Sequence, residues 1–152
     1  MSIPRLVISA PQGRSGKTTI SLGICAALTQ AGLVVQPFKK GPDYIDPSWL
    51  SAAAGRACRN LDLFLMTEED VEASFARGST GADLAIIEGA MGLYDGVDPW
   101  GSSEPTLKSP HGLSLEGRTS TAQLARVLRA PVLLVVDAAR MTRSAAALVI
   151  GY

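Results

Sequence analysis

Residues 10–19 read Ala-Pro-Gln-Gly-Arg-Ser-Gly-Lys-Thr-Thr and follow an apolar run, Leu6-Val7-Ile8. These residue types, in this order, suit the cradling of nucleotide phosphates. Gly13, Ser15 and Gly16 are small enough for the backbone to curl around an anion with its N–H groups turned inward. Gln12, Arg14 and Thr19 complete the loop. Lys17 has the reach to meet β- and γ-phosphates, the Thr18 hydroxyl suits Mg²⁺, and a helix beginning here adds the positive end of its dipole. The usual pattern is G-x-x-x-x-G-K-[ST], and Pro11 stands where its first glycine would be. Gly13 and Gly16 remain where the chain must turn tightly, so the variant keeps the physical requirement. ATP with Mg²⁺ is the expected cofactor.

Two acidic clusters accompany the loop. Residues 39–46 read Lys-Lys-Gly-Pro-Asp-Tyr-Ile-Asp. Asp43 or Asp46 could hold Mg²⁺ directly or through water, and Lys40 could neutralise a substrate carboxylate or developing phosphate charge. Taken alone, the same segment also reads as a solvated Pro-Asp turn. The second cluster is Ile86-Ile87-Glu88-Gly89-Ala90-Met91-Gly92, with Asp95 beyond it. An acid ending an apolar strand beside a phosphate loop is placed for the second Mg²⁺ contact, which falls to Glu88. Gly89 and Gly92 let the chain pass close to phosphates, and Asp95 could contact substrate or order the loop. The candidate catalytic residues are therefore Lys17, Lys40, Asp43, Asp46, Glu88 and Asp95. The candidate metal ligands are Thr18, Asp43, Asp46 and Glu88.

These groups need a scaffold that brings distant residues to one edge. Residues 5–9 form a short, almost wholly apolar strand, as expected where both faces of a parallel sheet are covered. Residues 17–31 read as a helix with Ile20, Ile24, Ala27, Leu28 and Ala31 on one face and Gly32 at its carboxyl cap. Residues 34–39, 84–87 and 132–136 read as further strands, the last with Pro131 at its start. Thr67-Glu68-Glu69-Asp70 resembles a capping box opening a helix with Val71 and Phe75 on one face, ending near Gly78. Residues 119–128 read as another helix, and one more begins near Thr142 or Ser144. Alternating strands and helices predict an α/β fold of the phosphate-loop NTPase type, a parallel sheet with helices on both faces. Ligands then lie at the carboxyl ends of the strands, where the phosphate loop, Lys40, Glu88 and Asp137 all fall. Residues 89–118 carry no period and are rich in Gly, Pro and Ser. Residues 99–117 are expected to be mobile, and His111 within them reads as a solvated loop residue. Leu148, Val149 and Ile150, then Tyr152, have no strand after them in the sequence, which reads as a domain incomplete at its carboxyl end.

The quoted residues also carry a family resemblance. The stretch from Phe38 to Pro47, then Arg59-Asn60-Leu61-Asp62, then Glu88 through Gly96, resembles the amino-terminal synthetase domain of the cobyrinate a,c-diamide synthase family. So does the stretch from Ser120 to Ala125 and on through Val135 to Thr142. The resemblance covers nearly the whole chain except about residues 97–118. It implies ATP-dependent amidation of the a and c acetate side chains of a corrin precursor, cobyrinate or hydrogenobyrinate, or of a related tetrapyrrole carboxylate. The carboxylate would be activated as an acyl phosphate and attacked by glutamine-derived ammonia from a separate carboxyl-terminal glutaminase domain, which these 152 residues lack. It also implies kinship with dethiobiotin synthetase, and a homodimer is left open.

Composition excludes other classes. Lys+Arg and Asp+Glu both number 14, giving a formal net charge of zero, which argues against binding nucleic acid or an acidic membrane through bulk charge. No apolar run approaches the roughly 20 residues that span a bilayer, no signal-peptide pattern opens the chain, and a cytoplasmic setting is expected. Cys25 and Cys58 read as plain thiols. A rival reading is a nucleotide-switch ATPase of the division-site or plasmid-partition kind. Its signature lysine would stand where this chain has Gln12. A nucleotide-binding remnant without catalysis is the third reading.

Overall fold

The computed structural model describes residues 3–96 and 119–152. The segment 99–117, expected to be mobile, and His111 lie outside the described residues. The elements run β1 (Arg5–Ser9), α1 (Lys17–Gln30), β2 (Val35–Lys40), α2 (Asp46–Ala54), β3 (Arg59–Leu61), α3 (Glu68–Gly78), β4 (Leu84–Glu88), α4 (Thr121–Val127), β5 (Val132–Leu134) and α5 (Ser144–Ile150). The strands form one five-stranded sheet in the order β3-β2-β4-β1-β5, and each neighbouring pair runs parallel. The expected α/β architecture is the observed one.

Alternation along the strands splits the core in two. Val7, Phe38, Leu61 and Ile87 pack with Val71 and Phe75 of α3 and Leu124 of α4 on one face. Ile8, Val35 and Ile86 pack with Cys25 of α1 and Leu50 and Ala54 of α2 on the other. Neighbouring strand residues such as Val7 and Ile8, or Ile86 and Ile87, therefore serve opposite layers. This is why these strands read as continuous apolar runs. Pro37 sits inside β2 because β3 first pairs opposite Phe38, so no ladder on that side needs a Pro37 N–H.

Caps fix where the helices start. The Thr67 hydroxyl accepts from Asp70 N (3.1 Å) while the Asp70 carboxylate accepts from Thr67 N (3.3 Å), the reciprocal arrangement expected from the sequence. Val71 and Phe75 are buried as anticipated. The carboxyl end of α1 likewise turns at Gly32, at φ 88.

Three sequence readings need correction. The fully buried stripe of α1 is Lys17, Ser21 and Cys25; of the expected face Ile24 and Leu28 pack against the core, whereas Ile20 is 40% exposed and Ala27 and Ala31 are also exposed. Apolar residues surround this helix, so periodicity could not choose a face. The phosphate loop sets the rotation by turning Lys17 inward. The second correction is α2, unanticipated because Asp43, Asp46 and Pro47 look like a turn. Pro47 in fact occupies the first turn of the helix, where its missing N–H does no harm, and Gly55 at φ 65 closes the far end. The third is β3, too short to show a period. Smaller adjustments are β5 ending at Leu134 and α4 starting at Thr121, while α5 starts at Ser144, one of the two expected positions.

Candidate functional site

The site lies at the carboxyl ends of β1, β2 and β4. The phosphate loop leaves β1 and turns through Arg14 at φ 59 and Gly16 at φ 87, the residue that precedes α1. Ser15 Oγ donates to Gln12 O (3.1 Å), closing the loop on itself. Gln12, Arg14, Gly16 and Thr19 are exposed around it, with Gly13, Ser15 and Thr18 partly so. Lys17 is buried, and its ammonium donates to Gln12 O (2.9 Å) and across to Met91 O (2.6 Å). Burial lowers its pKa, the like charge of Lys39 adds to this, and Glu88 and Asp95 oppose it.

Strand register assembles the acidic centre. Ile8 of β1 and Lys39 of β2 both lie beside Glu88 of β4. Glu88 is fully buried. Its Oε1 accepts from Thr18 Oγ1 (2.6 Å) and from Lys39 Nζ (2.9 Å). Lys39 Nζ also donates to Asp46 Oδ2 (2.7 Å) and Gly89 O (3.3 Å), and lies 3.8 Å from Asp43 Oδ2. Burial alone would lower the Lys39 pKa. The hydrogen bond to Asp46 and the charge of Glu88 outweigh it and raise the pKa instead. Lys39 is the central residue that sequence reading passed over for its neighbour Lys40. The available signal was pleat parity: in β2 only alternate residues share the face that carries α1 and α2.

The other candidates divide. Asp46, at the start of α2, joins the centre. Asp43 borders it with one oxygen while the other accepts from Ile45 N (2.8 Å) and Asp46 N (3.2 Å), which fixes the entry to α2. Lys40 falls on the opposite face by alternation and has no hydrogen bond or ion pair among the described residues. Burial lowers its pKa, Lys39 adds to this, and Asp62 opposes it. Asp62 is itself 6% exposed, and its Oδ2 has no partner among the described residues. Asp95 Oδ2 accepts from Gly92 N (2.8 Å), so here it orders the loop after β4. Asp137 Oδ1 accepts from Ala139 N (3.0 Å), holding the turn after β5.

The loop after β4 is braced from several sides. Gly89 N donates to Ile8 O (2.8 Å), Leu93 N to Ala10 O (2.8 Å), and Ala122 N of α4 to Leu93 O (2.9 Å). Glycine is required at residue 92, where a Cβ would lie 2.5 Å from Pro11 O.

With this geometry established, comparison with known proteins decides the class. The family model for the CobQ/CobB/MinD/ParA nucleotide binding domain matches residues 6–152. The chain belongs to that family. The loop at residues 10–19 and the acidic centre both lie within the residues that this domain model matches. Among curated relatives, the chain is 55% identical over 150 residues to a cobyrinate a,c-diamide synthase of Magnetococcus marinus, covering 99% of this chain and 29% of the relative. It is 50% identical over 151 residues to a hydrogenobyrinate a,c-diamide synthase of Streptomyces coelicolor, covering 99% and 28%. It is 49% identical over 152 residues to a cobyrinate a,c-diamide synthase of Syntrophotalea carbinolica, covering 100% and 30%. The chain thus spans under a third of the length of these relatives. Among the described residues, no helix is long and apolar enough to cross a membrane.

The residues fit a Mg²⁺ ion that nucleotide phosphates help to hold. Glu88 Oε2 is buried without a partner among the described residues, on the carboxylate whose Oε1 accepts from the Thr18 hydroxyl. Among the described residues no group of three or more His, Cys, Asp or Glu forms a metal cage, so most ligands would have to come from phosphate and water.

Proposed function

We propose that this chain is the ATP- and substrate-binding part of an amide ligase that converts the a and c side-chain carboxylates of a corrin precursor, cobyrinate or hydrogenobyrinate, to amides. The observation that carries this reading is the joining of a phosphate loop to the Thr18–Glu88–Lys39–Asp46 network around the buried Glu88 and Lys39. The activities for which the similar proteins are named support the same chemistry. A carboxylate is a poor electrophile because its leaving group would be oxide or hydroxide. Transfer of the γ-phosphoryl group gives an acyl phosphate and ADP; ammonia then adds to the carbonyl, and inorganic phosphate leaves.

The chain's task is to hold two anions together and offset their charge. Lys17 binds the β- and γ-phosphates. Thr18 and Glu88 hold Mg²⁺, which supplies charge neutralisation along the phosphates. Asp43 and Asp46 form the acidic border of that site, with Lys39 keeping Asp46 and Glu88 in place. Lys40, half-buried and unpaired among the described residues, receives the substrate carboxylate. Ammonia comes from glutamine through a glutaminase unit outside these 152 residues. Against a nucleotide switch of the division-site kind stand Gln12, in place of its signature lysine, and the acidic segment 42–46.

The test is amidation of ¹⁸O-carboxylate-labelled substrate with free ammonia and Mg-ATP. One ¹⁸O per amide formed should appear in inorganic phosphate. ATP hydrolysis with no label transfer and no amide would sink the reading.

A further inference from the structure

The Lys17 ammonium is already engaged, and the group engaging it lies outside the phosphate loop. Its 2.6 Å bond to Met91 O is short even for a charge-assisted contact. Met91 adopts φ 56, a left-handed backbone that a residue with a Cβ takes only at a cost. Its side chain is 63% exposed, so no packing of that side chain explains the conformation. The residues around it are pinned: Gly89 and Leu93 are tied to β1 and to Ala10, and Gly92 N to Asp95. Thr121, fully buried, hydrogen-bonds both N (3.3 Å) and O (3.2 Å) of Ala90. Between these anchors the Met91 carbonyl is turned toward Lys17.

We propose that Met91 is a nucleotide-responsive latch: its carbonyl holds Lys17, and a bound β,γ-phosphate draws the ammonium away and frees the Met91–Gly92 peptide to turn between its anchors. This rests on the reading of Lys17 as the phosphate-binding lysine, but not on the amidation chemistry. The freed peptide lies three residues past Glu88, so phosphate occupancy is communicated to the backbone near the acidic centre. Of the two carbonyls on Lys17, Gln12 O belongs to the loop that stays wrapped around the phosphates. Met91 O belongs to a separate segment, so it is the one displaced.

Two measurements test the latch. In hydrogen–deuterium exchange on the protein, saturating Mg-ATP should slow peptides covering residues 11–19 and speed those covering 89–95 through the Gly92 amide, which belongs to the peptide that turns. AMP, which lacks β- and γ-phosphates, should leave residues 89–95 unchanged. In binding titrations, Met91→Gly removes the left-handed cost in the latched state only, so ATP should bind about fivefold more weakly. Met91→Ala keeps that cost and should stay within about twofold of the parent. ATP binding with both segments slowed together, or equal effects of the glycine and alanine variants, would overturn the latch while leaving the phosphate-site reading intact. Absence of any ATP binding would overturn both.

Discussion

Lys39 touches Asp46 and Glu88 and lies near Asp43, whereas Lys40, the next residue, has no partner among the described residues. Substituting each should therefore separate stability from catalysis. Lys39→Met removes the cation that is hydrogen-bonded to buried Glu88, and breaking such a pair costs about 3–5 kcal/mol. Lys40→Met should not lower the denaturation midpoint, since burial already disfavours the Lys40 ammonium, but should raise KM for the carboxylate substrate. Urea titration with parallel kinetics checks the pair, and equal destabilisation in both variants would count against the assigned roles. Glu88→Gln keeps shape but removes charge from the proposed metal and phosphoryl contact. Losing one such contact costs about 3 kcal/mol, so ammonia-dependent amidation should fall roughly a hundredfold while ATP affinity changes by only a few-fold. A near-normal rate would show that Glu88 serves the fold alone.

At the scale of elements, the site depends on how closely two loops approach. Gly92 of the loop after β4 lies so near the phosphate loop that an added Cβ would meet Pro11 O at 2.5 Å and Asp95 Oδ2 at 2.6 Å. Backbone cannot yield as a flexible side chain does. Gly92→Ala should therefore lower the melting temperature by several degrees and weaken nucleotide binding as well. At Gly13 an added Cβ would meet nothing within 4 Å, and the backbone there is not left-handed. Gly13→Ala should leave the melting temperature within about a degree, yet weaken ATP binding by putting a methyl group where phosphate must approach. Thermal melts with and without Mg-ATP distinguish the two, and matching behaviour would refute this account of loop contact.

Over the whole molecule, ionisation links the site to stability. The Lys39 pKa is raised in the fold, so its contribution is fully present below the unfolded value of about 10.4. That contribution is lost as pH climbs through the still higher folded value. Lys17 and Lys40 act in the opposite sense. Burial disfavours their ammonium forms, and the resulting penalty lifts as pH rises through their lowered pKa values. The stability difference between the parent and Lys39→Met should accordingly be flat from about pH 6 to about 10 and shrink above it. Denaturant titrations across that range provide the check. A difference that disappears near neutrality would mean Lys39 is not the ammonium that Asp46 and Glu88 hold.

The sequence by itself determined the phosphate loop, the alternation of strands and helices, the α3 capping box and the strand-end position of Glu88. These follow from local rules: small residues permit tight turns, apolar runs make doubly covered strands, and side-chain caps bind neighbouring N–H groups. It also pointed to residues 39–46, where Asp46 joins the acidic centre. Only the tertiary structure decided that Lys39 rather than Lys40 joins Glu88, because that choice is set by the parallel register of β2 on β4. It alone turned α1 on Lys17, Ser21 and Cys25, since an apolar surface on every side leaves rotation to the loop that anchors the helix. It also converted an apparent Pro-Asp turn into the entry of α2, and brought Met91 to Lys17 across 74 positions of chain. Register, helix rotation and loop-to-loop contact are relations between distant segments, and no local pattern of residues encodes them.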